Sequence, residues 1–229
     1  MSGFSPTSMI MATMGIVLVA AGIFTVRSES SAYLAGGPGS VQRVASWVQT
    51  DVAPGLSTRT IKLTLLDCAN VLNAPESLEM RYQDDAIRAE MPATCREIAD
   101  KVTLDEPTFS YGWYVGALAS AAMQDWAAMN DHLVRSRAAG PTQAWVTIQR
   151  VLFAEGNYDQ LAPAGRAAND LDLSFLVSNG YGLDQLAELY FAETDFRHRI
   201  TAIVETLPAL EQRRFIGAVR AASQAGTAP

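Results

Sequence analysis

The chain has 229 residues, enough for one sizeable core or a short array of repeats. Hydrophobic residues make up 49% and charged residues 18%, a folded rather than a disordered composition. Against 24 acidic side chains stand 17 basic ones, so the net charge is −7, and no basic stripe is visible of the kind a nucleic-acid binder needs.

Residues 1–26 carry no charged side chain, and from Met9 to Val26 (MIMATMGIVLVAAGIFTV) the chain is almost continuously apolar. As a helix this run measures about 27 Å, close to the roughly 30 Å hydrocarbon thickness of a bilayer. A cleaved signal peptide is the alternative. The preceding MSGFSPTS lacks Lys and Arg, and Ala20-Ala21-Gly22 sits inside the run rather than after it, so an uncleaved transmembrane anchor over 9–26 is expected. Arg27 alone follows the span and, by the positive-inside rule, favours a cytoplasmic C-terminal domain. The two cysteines favour an oxidising compartment. The expectation is a single-pass inner-membrane protein with its domain on the periplasmic side.

Residues 27–39, rich in Ser and Gly, read as a linker between the span and the domain, with Ser40 as a helix cap; residues 1–8 form a short N-terminal tail. A helix then carries Val41, Val44, Trp47 and Val48 at helical spacing, and Ala53-Pro54-Gly55 stops it. Trp47 suits a membrane interface or a core, and the core is preferred. Ile61, Leu65, Cys68, Ala69 and Leu72 form the apolar face of the next helix, which Asn73-Ala74-Pro75 ends. Pro92 marks a break or the first turn of a helix running to about Leu104, with Cys95, Ile98 and Val102 on one side. Both cysteines thus lie on apolar faces of helices adjacent in sequence, and a Cys68–Cys95 disulfide is predicted. Asp84, Asp85 and Glu90 read as a solvated face rather than catalytic carboxylates.

From Ser110 to Pro141 two short helices follow back to back. Trp113 opens the first, Gln124-Asp125 breaks it, Trp126 opens the second and Gly140-Pro141 ends it. Trp145 lies 32 residues after Trp113, and Tyr158 lies 32 after Trp126. Leu171–Gly182 interrupts this period with a short apolar helix and a Ser-Asn-Gly-Tyr-Gly turn. A degraded third unit starts at Leu183, where Asp195-Phe196 repeats the polar-aromatic step and Thr194 is a candidate cap. A final helix, about Leu210 to Ala222, groups Leu210, Phe215, Ile216 and Val219 on one side as a capping element, before a tail at 225–229.

This pattern resembles the tetratricopeptide repeat, well over 110–170 and weakly over 183–206. Trp113, Ala119, Asp125-Trp126, Leu133 and Pro141 match the family pattern. Gly116 and Ala117 stand for its Leu-Gly pair, and Ser120 replaces a tyrosine. The second unit keeps Trp145 and Asn157-Tyr158 but has Gly165 where a large residue belongs. Small residues such as Ala117, Ala119, Ala121 and Ala128 let helices approach closely, with the tryptophans plugging the space between successive hairpins. The resemblance implies an all-α fold in which first helices line a concave groove for a peptide or a partner's helix. Its lining here would be Tyr111, Tyr114, Leu118 and Ala122 from one unit and Val146, Arg150 and Phe153 from the next. Packing of the N-terminal helices (40–105) into that groove is the other possibility.

No enzyme signature stands out. His132 and His198 fall in different helices without neighbouring metal-type ligands, GGPG at 36–39 lacks the lysine of a phosphate loop, and two cysteines do not make a zinc site. No catalytic residue, metal or cofactor is expected. The function expected is a membrane-anchored adaptor that binds a protein partner, in an envelope polysaccharide or secretion system. A small accessory subunit of a larger membrane complex is the alternative.

Overall fold

A computed structural model describes residues 6–34, 37–50 and 54–225. The start of the N-terminal tail, part of the 27–39 linker, Ala53 and residues 226–229 lie outside the described residues. The fold is all-α, with twelve α-helices and no strand among the described residues. The chain divides into two compact units, Met1–Val102 and Thr103–Pro229.

The first unit holds α1 (Pro6–Leu34), α2 (Ser40–Gln49), α3 (Thr58–Asn73), α4 (Leu78–Arg81) and most of α5 (Asp85–Asp105). Within α1, Met9–Arg27 has a mean hydropathy of 2.3 and no buried residue, and it is long and apolar enough to cross a membrane. The helix does not stop there. The first part of the expected linker, up to Leu34, continues α1. No Gly or Pro lies between Arg27 and Leu34 to end it, and Glu29 finds a tertiary partner at the start of α3.

Ser40 is the first residue of α2, not its cap. Its hydroxyl donates to Asp67 at 2.8 Å, beside the Arg43 guanidinium, whose Nε donates to the same buried carboxylate at 2.6 Å. Ser57 caps α3 by accepting from the Thr60 N–H at 3.2 Å. Trp47 is a core residue, 2% exposed. Cys68 of α3 and Cys95 of α5 are fully buried and form a disulfide with Cα atoms 5.5 Å apart. Pro92 breaks nothing: α5 runs through it. An interior proline costs about 3 kcal/mol, and burial of Met91, Cys95 and Ile98 on one face offsets it. Asp84, Asp85 and Glu90 are exposed, and Asp85 pairs with Arg88 at 2.6 Å.

The second unit holds α6 (Ser110–Ala122), α7 (Trp126–Ala139), α8 (Ala144–Gly156), a 3-10 turn (Tyr158–Gln160), α9 (Pro163–Asn179), α10 (Leu183–Ala192), α11 (Thr194–Glu205) and α12 (Ala209–Ala225). Consecutive helices pair: α6 packs most extensively on α7, and α8 on α9. Ala117 and Ala119 are fully buried, and a Cβ on Gly116 would press on the His132 ring, so small residues bring α6 and α7 together. Asp125 caps α7 through the Ala128 N–H at 3.1 Å.

Tyr158 does not open a helix. It sits in the 3-10 turn, and the helix begins only at Pro163, whose fixed φ suits a first helical position. That helix runs to Asn179, so the short apolar helix expected from Leu171 is its C-terminal half. Asn130 of α7 accounts for the displaced start. Its side chain accepts from the Ala162 N–H at 2.7 Å and donates to the Gln160 carbonyl at 2.9 Å. Gly165 lies directly beneath, where a Cβ would collide with the Asn130 amide. Gly180 and Gly182, at φ +79° and +69°, make the turn into α10. Thr194 is the first residue of α11 and caps nothing.

The core of α8–α12 is built from Ile148, Val151, Leu173, Leu176, Leu186, Phe196, Ile200 and Phe215. Among the residues of α12 whose burial is described only Phe215 is buried, while Leu210 and Ile216 are 62% and 44% exposed, so the four residues expected on one side do not share an environment.

Candidate functional site

The seven residues expected to line a groove do not form an open surface. Tyr111, Tyr114, Leu118, Val146 and Arg150 are buried, Phe153 is half-buried and only Ala122 is exposed. The rings fill the space themselves. Tyr111 lies 5.7 Å from Tyr114 and 5.0 Å from Trp145, and Tyr114 meets Phe153 edge-on at 6.2 Å. Burial, and then the neighbouring Tyr114, push the Tyr111 phenol above its ordinary pKa. Trp145 thus bridges two hairpins, whereas Trp113 packs within its own, 5.6 Å from His132 and under the Arg135 guanidinium.

Arg150 is 2% exposed because it is the hub of a polar network rather than a recognition residue. Its Nε donates to Asp172 Oδ2 at 2.7 Å and its Nη2 to Oδ1 at 3.0 Å. The remaining donors reach the Ser110 hydroxyl at 3.1 Å and the Thr147 hydroxyl at 3.0 Å. Arg137 adds a second ion pair to Asp172. Four helices, α6 to α9, are therefore joined at one charged point. A buried charge has to be paired, which is the signal an arginine on the apolar side of α8 carries.

An open site does exist elsewhere in the second unit. A cleft of about 510 Å³ lies between the end of α8 with its 3-10 turn and the facing parts of α10 and α11. Trp126, Leu152, Tyr158, Leu189, Phe196 and Arg199 line it. Trp126, Tyr158 and Phe196 are the aromatics of the three polar-aromatic steps in the sequence, so the repeat pattern converges on the cleft. Arg199 has no counterpart in that pattern, and sequence reasoning missed it.

Arg199 is held in place on two sides. It pairs with Glu155, whose side chain is 2% exposed, and its guanidinium lies 3.7 Å from the Tyr158 ring centroid. Arg166 lies 5.0 Å from the same ring. Asn169 donates to the other Glu155 oxygen at 2.5 Å. The Arg199 Nε is buried without a hydrogen-bond partner. At the rim, Asp159, Glu193 and Asp195 are exposed and make no ion pair among the described residues. Such a cleft suits an apolar side chain on the aromatic wall with a basic group against the rim.

His132 is buried, with its Nδ1 3.1 Å from the Ser120 hydroxyl, and His198 is exposed. Among the described residues no group of three or more His, Cys, Asp or Glu is arranged to hold a metal ion. Compared with family models, curated proteins and solved structures, the chain matches none.

Proposed function

We propose that this chain is a membrane-anchored adaptor whose helical domain binds a protein partner in the cleft lined by Trp126, Tyr158 and Phe196. The single observation that carries the reading is an open cavity walled by the half-buried Trp126 and Tyr158, the aromatics of two successive polar-aromatic steps, over a floor that includes the buried Phe196. Aromatic side chains in a concave site supply most of the binding energy of typical interfaces. The pairing of α6 with α7 and α8 with α9 supports a tetratricopeptide-like array. The disulfide supports placement on the periplasmic side of the inner membrane, since thiols in the cytosol stay reduced. An envelope polysaccharide or secretion system is the setting we favour.

The test is co-purification of the full chain from its native membrane in mild detergent. Trp126→Ala, or Asp159→Arg with Glu193→Arg at the rim, should release a protein that the unaltered chain retains. Retention by both variants would mean that another surface, the span included, holds the partner, as an accessory subunit would.

A further inference from the structure

Glu29 ties the end of the span to the rest of the first unit. Glu29 lies two residues beyond Arg27, about 3 Å further along the helix axis. Its carboxylate accepts from the backbone N–H groups of Leu56 at 2.7 Å and Ser57 at 2.6 Å. It also accepts from the hydroxyls of Ser57 at 2.8 Å and Thr60 at 2.6 Å. The N–H groups preceding and opening α3 have no intrahelical partner, so a carboxylate there both satisfies them and complements the helix dipole. The head-group layer is about 5–7 Å deep on each side of the hydrocarbon. If Met9–Arg27 spans a bilayer, Glu29 holds the start of α3 inside that layer.

What α3 exposes there fits a lipid surface. Leu56 is 55% exposed, and Arg59, Lys62 and the 42%-exposed Leu66 continue outward at helical spacing. No acidic residue occurs from Pro54 to Leu66, in a chain with a net charge of −7. Arg59 makes no ion pair among the described residues. Apolar side chains beside cations at head-group depth are the composition of interfacial contacts.

We propose that the N-terminal end of α3, with Leu56 just before it, is a lipid-binding surface, Leu56 entering the interface and Arg59 engaging the phosphates of anionic head groups. This rests on the anchored reading. It makes the bilayer surface a second binding partner and holds the first unit against the membrane.

The test uses the full chain, disulfide intact, in nanodiscs of phosphatidylcholine with and without phosphatidylglycerol. Amide hydrogen exchange over residues 55–66 should slow about fivefold in the anionic discs, the effect expected of basic side chains near a charged surface. High salt should shrink the difference. Arg59→Glu should abolish it while leaving exchange around Cys95 unchanged. Equal exchange in the two lipids, or slowing that survives the Arg59→Glu variant, would overturn the lipid contact and leave the anchor standing. Failure of the chain to enter discs at all would overturn both.

Discussion

Arg150 and Asp172 meet as a bidentate ion pair inside the second unit, with Nε–Oδ2 at 2.7 Å and Nη2–Oδ1 at 3.0 Å, although 22 residues separate them. Both side chains are at most 3% exposed. Removing one partner strands a buried charge. Asp172→Ala is expected to cost about 3–5 kcal/mol, and replacing the pair with apolar residues of similar volume far less, because such swaps are often close to neutral. Denaturant unfolding of the two variants separates the outcomes. Equal losses would mean that the network contributes more than its central pair.

Tyr114 is 2% exposed and packs edge-on against Phe153. Tyr114→Ala should therefore lower the stability of the domain by about 3–5 kcal/mol, as for other deleted core aromatics. Thermal unfolding checks this. A variant of unchanged stability that loses a partner would restore Tyr114 to a binding surface.

Gly165 is held small by the Asn130 amide above it. Gly165→Leu, which would restore the large residue of the tetratricopeptide pattern, should cost about 1–3 kcal/mol through overpacking. The same change with Asn130→Ala should recover part of the loss, read from unfolding midpoints.

The disulfide closes a sequence separation of 27 residues, for which the chain-entropy model gives about 3–4 kcal/mol. Alkylation with and without reductant, read by mass spectrometry on protein from its native membrane, should find Cys68 and Cys95 protected until reduced. Two free thiols would place the domain in a reducing compartment and favour the orientation indicated by Arg27.

Glu29 carries a pH dependence with a definite sign. Hydrogen bonds from Thr60 and Ser57 hold its carboxyl down to about 2, from an ordinary 4.5. A depressed acid stabilises the contact above its ordinary pKa and loses that stabilisation as pH falls through the folded value. Protection of the Leu56 and Ser57 amides should thus be constant from neutral pH to about 4.5 and disappear toward pH 2, while Glu29→Gln weakens it at neutral pH and removes this pH dependence. Loss of protection already at about pH 5 would contradict the contact.

Features set by short stretches of chain are legible in the sequence. That the uncharged run Met9–Val26 is long and apolar enough to cross a membrane is legible from composition, because the free energy of crossing a bilayer is a sum over its own residues. Helix ends at Asp125, Gly140 and Gly180 follow from capping and turn chemistry within a few residues. The cysteine pairing follows from two apolar faces on helices close in sequence, with only the short α4 between them. The polar-aromatic steps at Trp126, Tyr158 and Phe196 are visible there too, though not that they share one cleft. Tertiary structure decides the rest. Whether Arg150 faces a partner or a core depends on Asp172 and Arg137, and α9 starts at Pro163 because Asn130 of α7 takes over the backbone before it. Helix α1 continues past Arg27 to Leu34 and docks because Glu29 finds donors 27 to 31 residues away. In each of these cases a polar group is satisfied by a partner distant in sequence, and periodicity reports which face a residue occupies but not what meets it there.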